Sequence, residues 1–163
     1  MLYCALFACL IAILAQIQIA LPTLVPITLQ TLGVYLVSLL LKPKLAFIST
    51  LVYVFMGAIG LPVFGGFSGG LASLLGPSGG YIFSFPIMAL VIALIVKRNE
   101  KLSFKIIALI IGTVVCYLIG TLWFIYVTNT SLIPALTMCV IPFLPGDTLK
   151  IIISIILANR LNS

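Results

Sequence analysis

Asp147 and Lys150 stand three residues apart in the string Phe143-Leu-Pro-Gly-Asp-Thr-Leu-Lys150, between long apolar runs. Residues three apart share a helix face, so a carboxylate and an ammonium can act there on one object. The carboxylate accepts hydrogen bonds and the ammonium donates them, which suits holding a polar ligand. Catalysis has little to work with. The other acid, Glu100, is 47 positions away among Lys97, Arg98 and Lys101, and the chain has no His, which removes His-based triads and His metal sites. Cys4, Cys9, Cys116 and Cys139 lie inside apolar runs without C-x-x-C spacing, as buried hydrophobes do. An enzyme, a metal centre and a cofactor are therefore not expected.

The elements that position this pair must lie in a membrane. Of the 163 residues, 64% are hydrophobic and 6% charged, against about 25% charged in soluble domains, and the mean hydropathy is +1.44. Residues 1–41, 45–96 and 106–146 carry no charge, and a helix needs about 20 apolar residues to cross hydrocarbon. The first run holds two spans, 1–20 and 27–41, divided at Leu21-Pro22-Thr23-Leu24-Val25-Pro26, where two prolines interrupt the helical pattern. The second holds 45–59 and 81–96, the third holds 106–126, and 147–161 is the sixth. The expectation is an all-α membrane protein, one integral domain over 1–163 with six transmembrane helices. Residues 1–20 lack a basic leading segment, so they read as a span and not as a signal peptide.

The basic residues set the orientation. With both termini on one side, that side receives Lys42, Lys44, Lys97, Arg98, Lys101, Lys105 and Arg160, and the positive-inside rule makes it cytoplasmic. Glu100 is then a loop residue among cations. Basic residues at loop ends form no stripe for nucleic acid. Asp147 and Lys150 fall on the opposite side. From Gly146 to Leu161 is only about 24 Å of helix, which puts Lys150 about one turn inside a short span. Charges at such depth face the protein interior and mark functional sites, although a pair that only ties helices together is the competing reading.

Three irregular segments share that outer side. Residues 60–80 hold eight of the 13 glycines, and irregular backbone at membrane depth persists only where it lines a cavity or is buried in protein. This segment reads as a folded loop capping a pocket, with glycine amides, those of Gly66 and Gly70 among them, able to approach a ligand. The segment from Thr128 to Gly146, with Pro134, Pro142 and Pro145, and the one from Pro22 to Gln30 join it. Their convergence on the charged pair is the geometry of a ligand site at a membrane protein's mouth. Ser68, Gln30 and Tyr81 are the further polar candidates there. In the first helix Ala5, Ala8, Ala12 and Ala15 recur at spacings of three and four, a small surface that admits either a neighbouring helix of the same bundle or an external one.

Five strings in order, Ala5-Leu-Phe-Ala-Cys-Leu-Ile-Ala-Ile-Leu-Ala-Gln16, Val25-Pro-Ile-Thr-Leu-Gln30, Gly60-Leu-Pro-Val-Phe64, Gly76-Pro-Ser-Gly-Gly-Tyr81 and Phe143-Leu-Pro-Gly-Asp-Thr-Leu-Lys150, resemble the BioY family of biotin transporters. Those are the substrate-binding S components of energy-coupling factor transporters. The resemblance implies a six-helix bundle in the cytoplasmic membrane with an outward biotin pocket in which Asp147 and Lys150 touch the vitamin. It also implies that the surface around Ala8 and Ala12 packs on a transmembrane coupling subunit, with two cytoplasmic ATPase subunits supplying energy. The chain itself has no Gly-x-x-x-x-Gly-Lys-[Ser/Thr] string for ATP. Biotin suits the residues: its thiophane and valeryl chain are apolar and its ureido group offers two N–H donors and a carbonyl. A carboxylate accepts from the N–H groups, while an ammonium donates to that carbonyl or to the ligand's carboxylate. An S component for another vitamin, and a structural or assembly subunit of the membrane, are the alternatives.

Overall fold

The computed structural model describes residues 2–19 and 24–161, so the expected break at Leu21-Pro22-Thr23 lies outside the described residues. The chain is mostly helical: α1 (Leu2–Gln16), α2 (Gln30–Leu40), α3 (Pro43–Ala58), α4 (Leu71–Leu75), α5 (Gly79–Arg98), α6 (Leu102–Thr128), α7 (Leu132–Cys139) and α8 (Phe143–Leu161). Between α1 and α2, β1 (Gln18–Ile19) pairs antiparallel with β2 (Ile27–Thr28), Gln18 opposite Thr28. The second span expected from residue 27 thus begins as strand and turns helical only at Gln30. α5 and α6 are each long and apolar enough to cross a membrane, and α7 with α8, bent by 44° at their junction, makes a third such length. α1, α2 and α3 are shorter apolar helices.

The last helix departs most from expectation. It starts at Phe143 and not at Asp147, so its 19 residues reach about 28 Å at the α-helical rise. Pro145 and Gly146 do not break it because they lie in its first turn, where backbone N–H groups have no intrahelical partner to lose. Pro134 sits in the first turn of α7 for the same reason. Asp147 is therefore already a turn into the helix, and Lys150 nearly two.

α5 and α6 form the most extensive helix pair, and glycines bring them together. A Cβ at Gly112 would overlap Ile92, at Gly120 the Tyr81 ring, and at Gly80 the Trp123 side chain. On α1, Cys4, Ala8, Ile11 and Ala15 recur every three or four residues and face inward onto α2 and α3. Ala8 has 0% exposure and Ala12 is half-buried against the same core. Ala8 thus serves internal packing and has no surface to offer a partner. Leu2, Ala5, Leu6, Cys9 and Ile13 form the exposed face of this helix.

Residues 59–78 fold into a compact loop. Gly70, at φ 84°, donates its N–H to the Gly57 carbonyl at 2.7 Å. A 3-10 turn at Gly65–Phe67 is closed by an antiparallel bridge between Phe64 and Ser68. Gln16, at the end of α1, clamps this loop. Its Nε2 donates to the Val63 and Phe64 carbonyls at 3.3 and 3.2 Å, and its Oε1 accepts from the Phe67 N–H at 2.8 Å.

Candidate functional site

A cavity of about 690 Å³, mouth included, lies where this loop, the β1–β2 connection and four helices meet. α2, α5 and α8 bring one end to it and α6 its middle. α2 gives Gln30 and Thr31, α5 gives Tyr81, Ile82 and Phe85, α6 gives Cys116 and Tyr117, and α8 gives Phe143, Asp147 and Lys150. The loop adds Phe64, Gly65, Ser68, Ser73 and Ser78, and the connection adds Val25, Pro26 and Thr28. On α2, α5 and α8 the cavity residues occupy one end, while Lys42, Arg98 and Arg160 stand at or just beyond the other; on α6 they lie at mid-helix, with Lys101 directly before its start. Lys105 on α6 bonds Asn159 on α8 at 2.7 Å, and the Cys4 thiol of α1 meets the Leu45 carbonyl of α3 at 3.9 Å. The basic loops thus gather at the far end of the bundle from the cavity.

The charged pair forms one wall. Asp147 and Lys150 are 3% and 5% exposed, and Lys150 Nζ lies 2.7 Å from Asp147 Oδ1. It is the one ion pair among the described residues. Lys150 also donates to Thr31 Oγ1 at 3.0 Å, and Thr31 donates in turn to Asp147 Oδ1 at 3.2 Å. The Tyr117 hydroxyl donates to Asp147 Oδ2 at 2.5 Å. Four side chains from three helices thus satisfy one another, as buried charge requires. An ammonium has three donors and each carboxylate oxygen two acceptor sites. One Lys150 N–H and one lone pair of Asp147 Oδ2 are left over on the cavity wall.

The remaining polar walls are braced. The Gln30 amide donates to the Tyr53 hydroxyl and accepts from Thr28 Oγ1 at 3.0 Å, and Tyr53 donates onward to the Val63 carbonyl at 3.1 Å. Gln30 therefore ties α2 to α3 and to the loop. The Tyr81 hydroxyl lies 3.0 Å from Thr121 Oγ1, and Ser68 Oγ donates to the Gly65 carbonyl at 2.9 Å. Phe64, Phe85 and Phe143 supply apolar surface.

Of the residues singled out from sequence, Asp147, Lys150, Ser68, Tyr81 and Gln30 come together on this cavity, whereas Gly66 and Gly70 do not line it. Gly66 turns away: at φ 68°, a Cβ there would meet the Gln18 side chain. The amide of Gly70 is engaged by Gly57. Thr31 and Tyr117 were not foreseen. Tyr117 had a signal, because Thr113, Cys116, Tyr117 and Thr121 place the polar atoms of this stretch of α6 at helical spacing along one face. That stripe meets Tyr35, Ser84, Asp147 and Tyr81 in turn. Thr31 follows directly after the Val25–Gln30 string.

The chain is similar over nearly its whole length to named proteins. It is 41% identical over 157 residues to the probable biotin transporter BioY of Pyrococcus horikoshii, covering 96% of this chain and 92% of that one. The biotin transporter BioY of Thermotoga maritima is 34% identical over 159 residues, covering 96% and 91%. Among solved structures, the S-component for biotin from an ECF-type ABC transporter superposes with a TM-score of 0.91 at 32% identity, over 99% of this chain and 89% of that one. The sequence model of the BioY family matches residues 1–163, and this membrane protein belongs to the BioY family.

Proposed function

We propose that this chain binds biotin in the cavity beside Asp147 and Lys150 and carries it inward across the cytoplasmic membrane, as the substrate-binding component of an energy-coupling factor transporter. The observation that carries this reading is the buried cluster of Asp147, Lys150, Thr31 and Tyr117, with one donor and one acceptor left over, on a cavity that also presents the aromatic faces of Phe64, Phe85 and Phe143. A flat group that shows an N–H and a carbonyl side by side satisfies both at once. The ureido ring does so, while biotin's carboxylate offers acceptors only. The thiophane and valeryl chain then lie against Phe64, Phe85 and Phe143. In this reading six helices cross the bilayer, with α7 folded back before α8, and both termini lie on the cytoplasmic side with the basic loops.

The names of the relatives support biotin as the ligand, and the solved S-component supports a membrane coupling subunit with ATPase subunits as partners. α1 meets that coupling subunit through the face beside Ala12, with Ala5 and Cys9.

Equilibrium binding of labelled biotin to the purified protein tests the ligand, with thiamine and riboflavin as competitors. Saturable binding resisted by both is expected, with about 2.7 kcal/mol of added stability at a hundredfold excess over Kd. Biotin methyl ester should compete nearly as well as biotin if the ureido group meets the charged pair. Absence of saturable binding, or equal competition by another vitamin, refutes the assignment.

A further inference from the structure

On the outer wall of the bundle, α6 and α8 diverge and leave a groove of about 750 Å³, open side included. Leu102, Ile106 and Ile110 line one bank, and Thr148, Ile151, Ile152, Ile155 and Ile156 the other. The single hydroxyl, that of Thr148, donates to the Leu144 carbonyl at 2.8 Å, so the groove is apolar throughout. Each bank spans nine residues, about 12 Å at the helical rise. A bilayer's hydrocarbon is about 30 Å thick, so the groove covers most of the roughly 15 Å depth of one leaflet. A crossing helix would need a trough of twice that length, whereas an acyl chain needs only this one.

The groove is charged at one mouth. Thr148, Ile152, Ile156 and Arg160 follow at spacings of four, which puts Arg160 one turn beyond the last isoleucine on the same face. On the other bank Lys101 caps α6 directly before Leu102. Lys105 reaches across the mouth to Asn159. Among the described residues no carboxylate lies within ion-pairing distance of Lys101, Lys105 or Arg160, although Glu100 is adjacent in sequence. Three cations thus meet at the polar end of a slot one acyl chain long. A basic pocket between membrane helices attracts anionic headgroups.

We propose that the α6–α8 groove is a binding site for an anionic phospholipid, with one acyl chain along Ile106, Ile110, Ile152 and Ile156 and its phosphate between Lys101, Lys105 and Arg160. Such a lipid anchors the last helix, which carries Asp147 and Lys150, against α6 where the two diverge.

Native mass spectrometry of the full chain, released from micelles containing phosphatidylglycerol or phosphatidylcholine with identical acyl chains, tests this. One phosphatidylglycerol should be retained at least tenfold more readily than phosphatidylcholine, and inorganic phosphate should not displace it. Each cation contributes roughly fivefold, so K101Q/K105Q/R160Q should reduce phosphatidylglycerol retention to that of phosphatidylcholine. Ile152→Trp, at an exposed position, should fill the groove and abolish retention of both lipids without lowering the unfolding temperature of the lipid-free protein. Equal retention of the two lipids, or a triple variant that keeps its preference, overturns the proposal. So does a photocrosslinker at Ile106 that captures a protein instead of lipid in native membranes.

Discussion

Replacing Asp147 by Asn separates the structural role of the charged pair from ligand binding. The substitution keeps the side chain's shape but removes the charge that holds Lys150 Nζ at 2.7 Å. Both residues are almost wholly buried, so water from the cavity can replace the lost partner only in part. Breaking a buried pair from one side costs about 3–5 kcal/mol. At about 2–4 °C per kcal/mol for a chain of this size, Asp147→Asn should lower the unfolding temperature by roughly 6–20 °C. Lys150→Met should cost a similar amount by stranding the carboxylate. The double variant removes both charges, and the Asn carbonyl can still accept from one of Tyr117 and Thr31 while its amide nitrogen donates to the other hydroxyl, so most of the stability should return; a coupling energy of at least about 2 kcal/mol is expected from the cycle. Binding should not return. A charge-assisted hydrogen bond contributes about 1.5–3 kcal/mol, so each single change should weaken biotin about tenfold to a hundredfold at about 1.4 kcal/mol per decade. The double variant should weaken it further. Thermal unfolding and labelled-biotin titration on the four proteins are the assays. A double variant destabilised by the sum of the singles would refute the pair as a unit, and one that binds biotin within twofold of the parent would refute it as the ligand's partner.

Three further perturbations address the supports of the site. Tyr117→Phe removes the hydroxyl from Asp147 Oδ2, and a buried acceptor losing its donor costs about 1–3 kcal/mol; both a lower unfolding temperature and weaker biotin binding are expected, and no change in either would remove Tyr117 from the site. Gln16→Ala takes away the clamp on Val63, Phe64 and Phe67, so hydrogen exchange at the Phe67 amide should accelerate and biotin should dissociate faster; unchanged exchange would show that the loop holds itself. Ala8→Leu overpacks the core at a fully enclosed position and should destabilise the isolated protein by about 1–3 kcal/mol, while Cys9→Leu on the exposed face should leave unfolding unaltered and lower uptake in cells. The reverse pattern would place the partner surface on the Ala8 side.

Charge was the most legible feature of the sequence, because in an apolar chain every ionisable residue must be accounted for by position. Seven cations fell at loop ends and gather at one end of the bundle, which left Asp147 and Lys150 at the other, where the cavity lies. Residues beside that pair were harder to read. A tyrosine in the middle of an apolar run looks like core, and only its company at helical spacing, Thr113, Cys116 and Thr121, separates a polar stripe from an isolated aromatic. Glycine content showed that residues 60–80 could not be plain helix, but composition carries no information on where an amide points. Gly66 and Gly70 are used by the loop's own fold, and Gly65 reaches the cavity instead. The prolines before Asp147 misled for a physical reason: a first turn has no hydrogen bond for them to remove. Small residues on α1 were undecidable by spacing, since an internal helix and an external one both need close approach; burial separates Ala8, which faces inward, from Ala5 and Cys9, which do not. Both halves of that helix's work meet at Gln16, which ends α1 and grips the loop over the cavity. A displacement of α1 therefore has a direct route, three bonds from one amide, to the loop that walls the cavity.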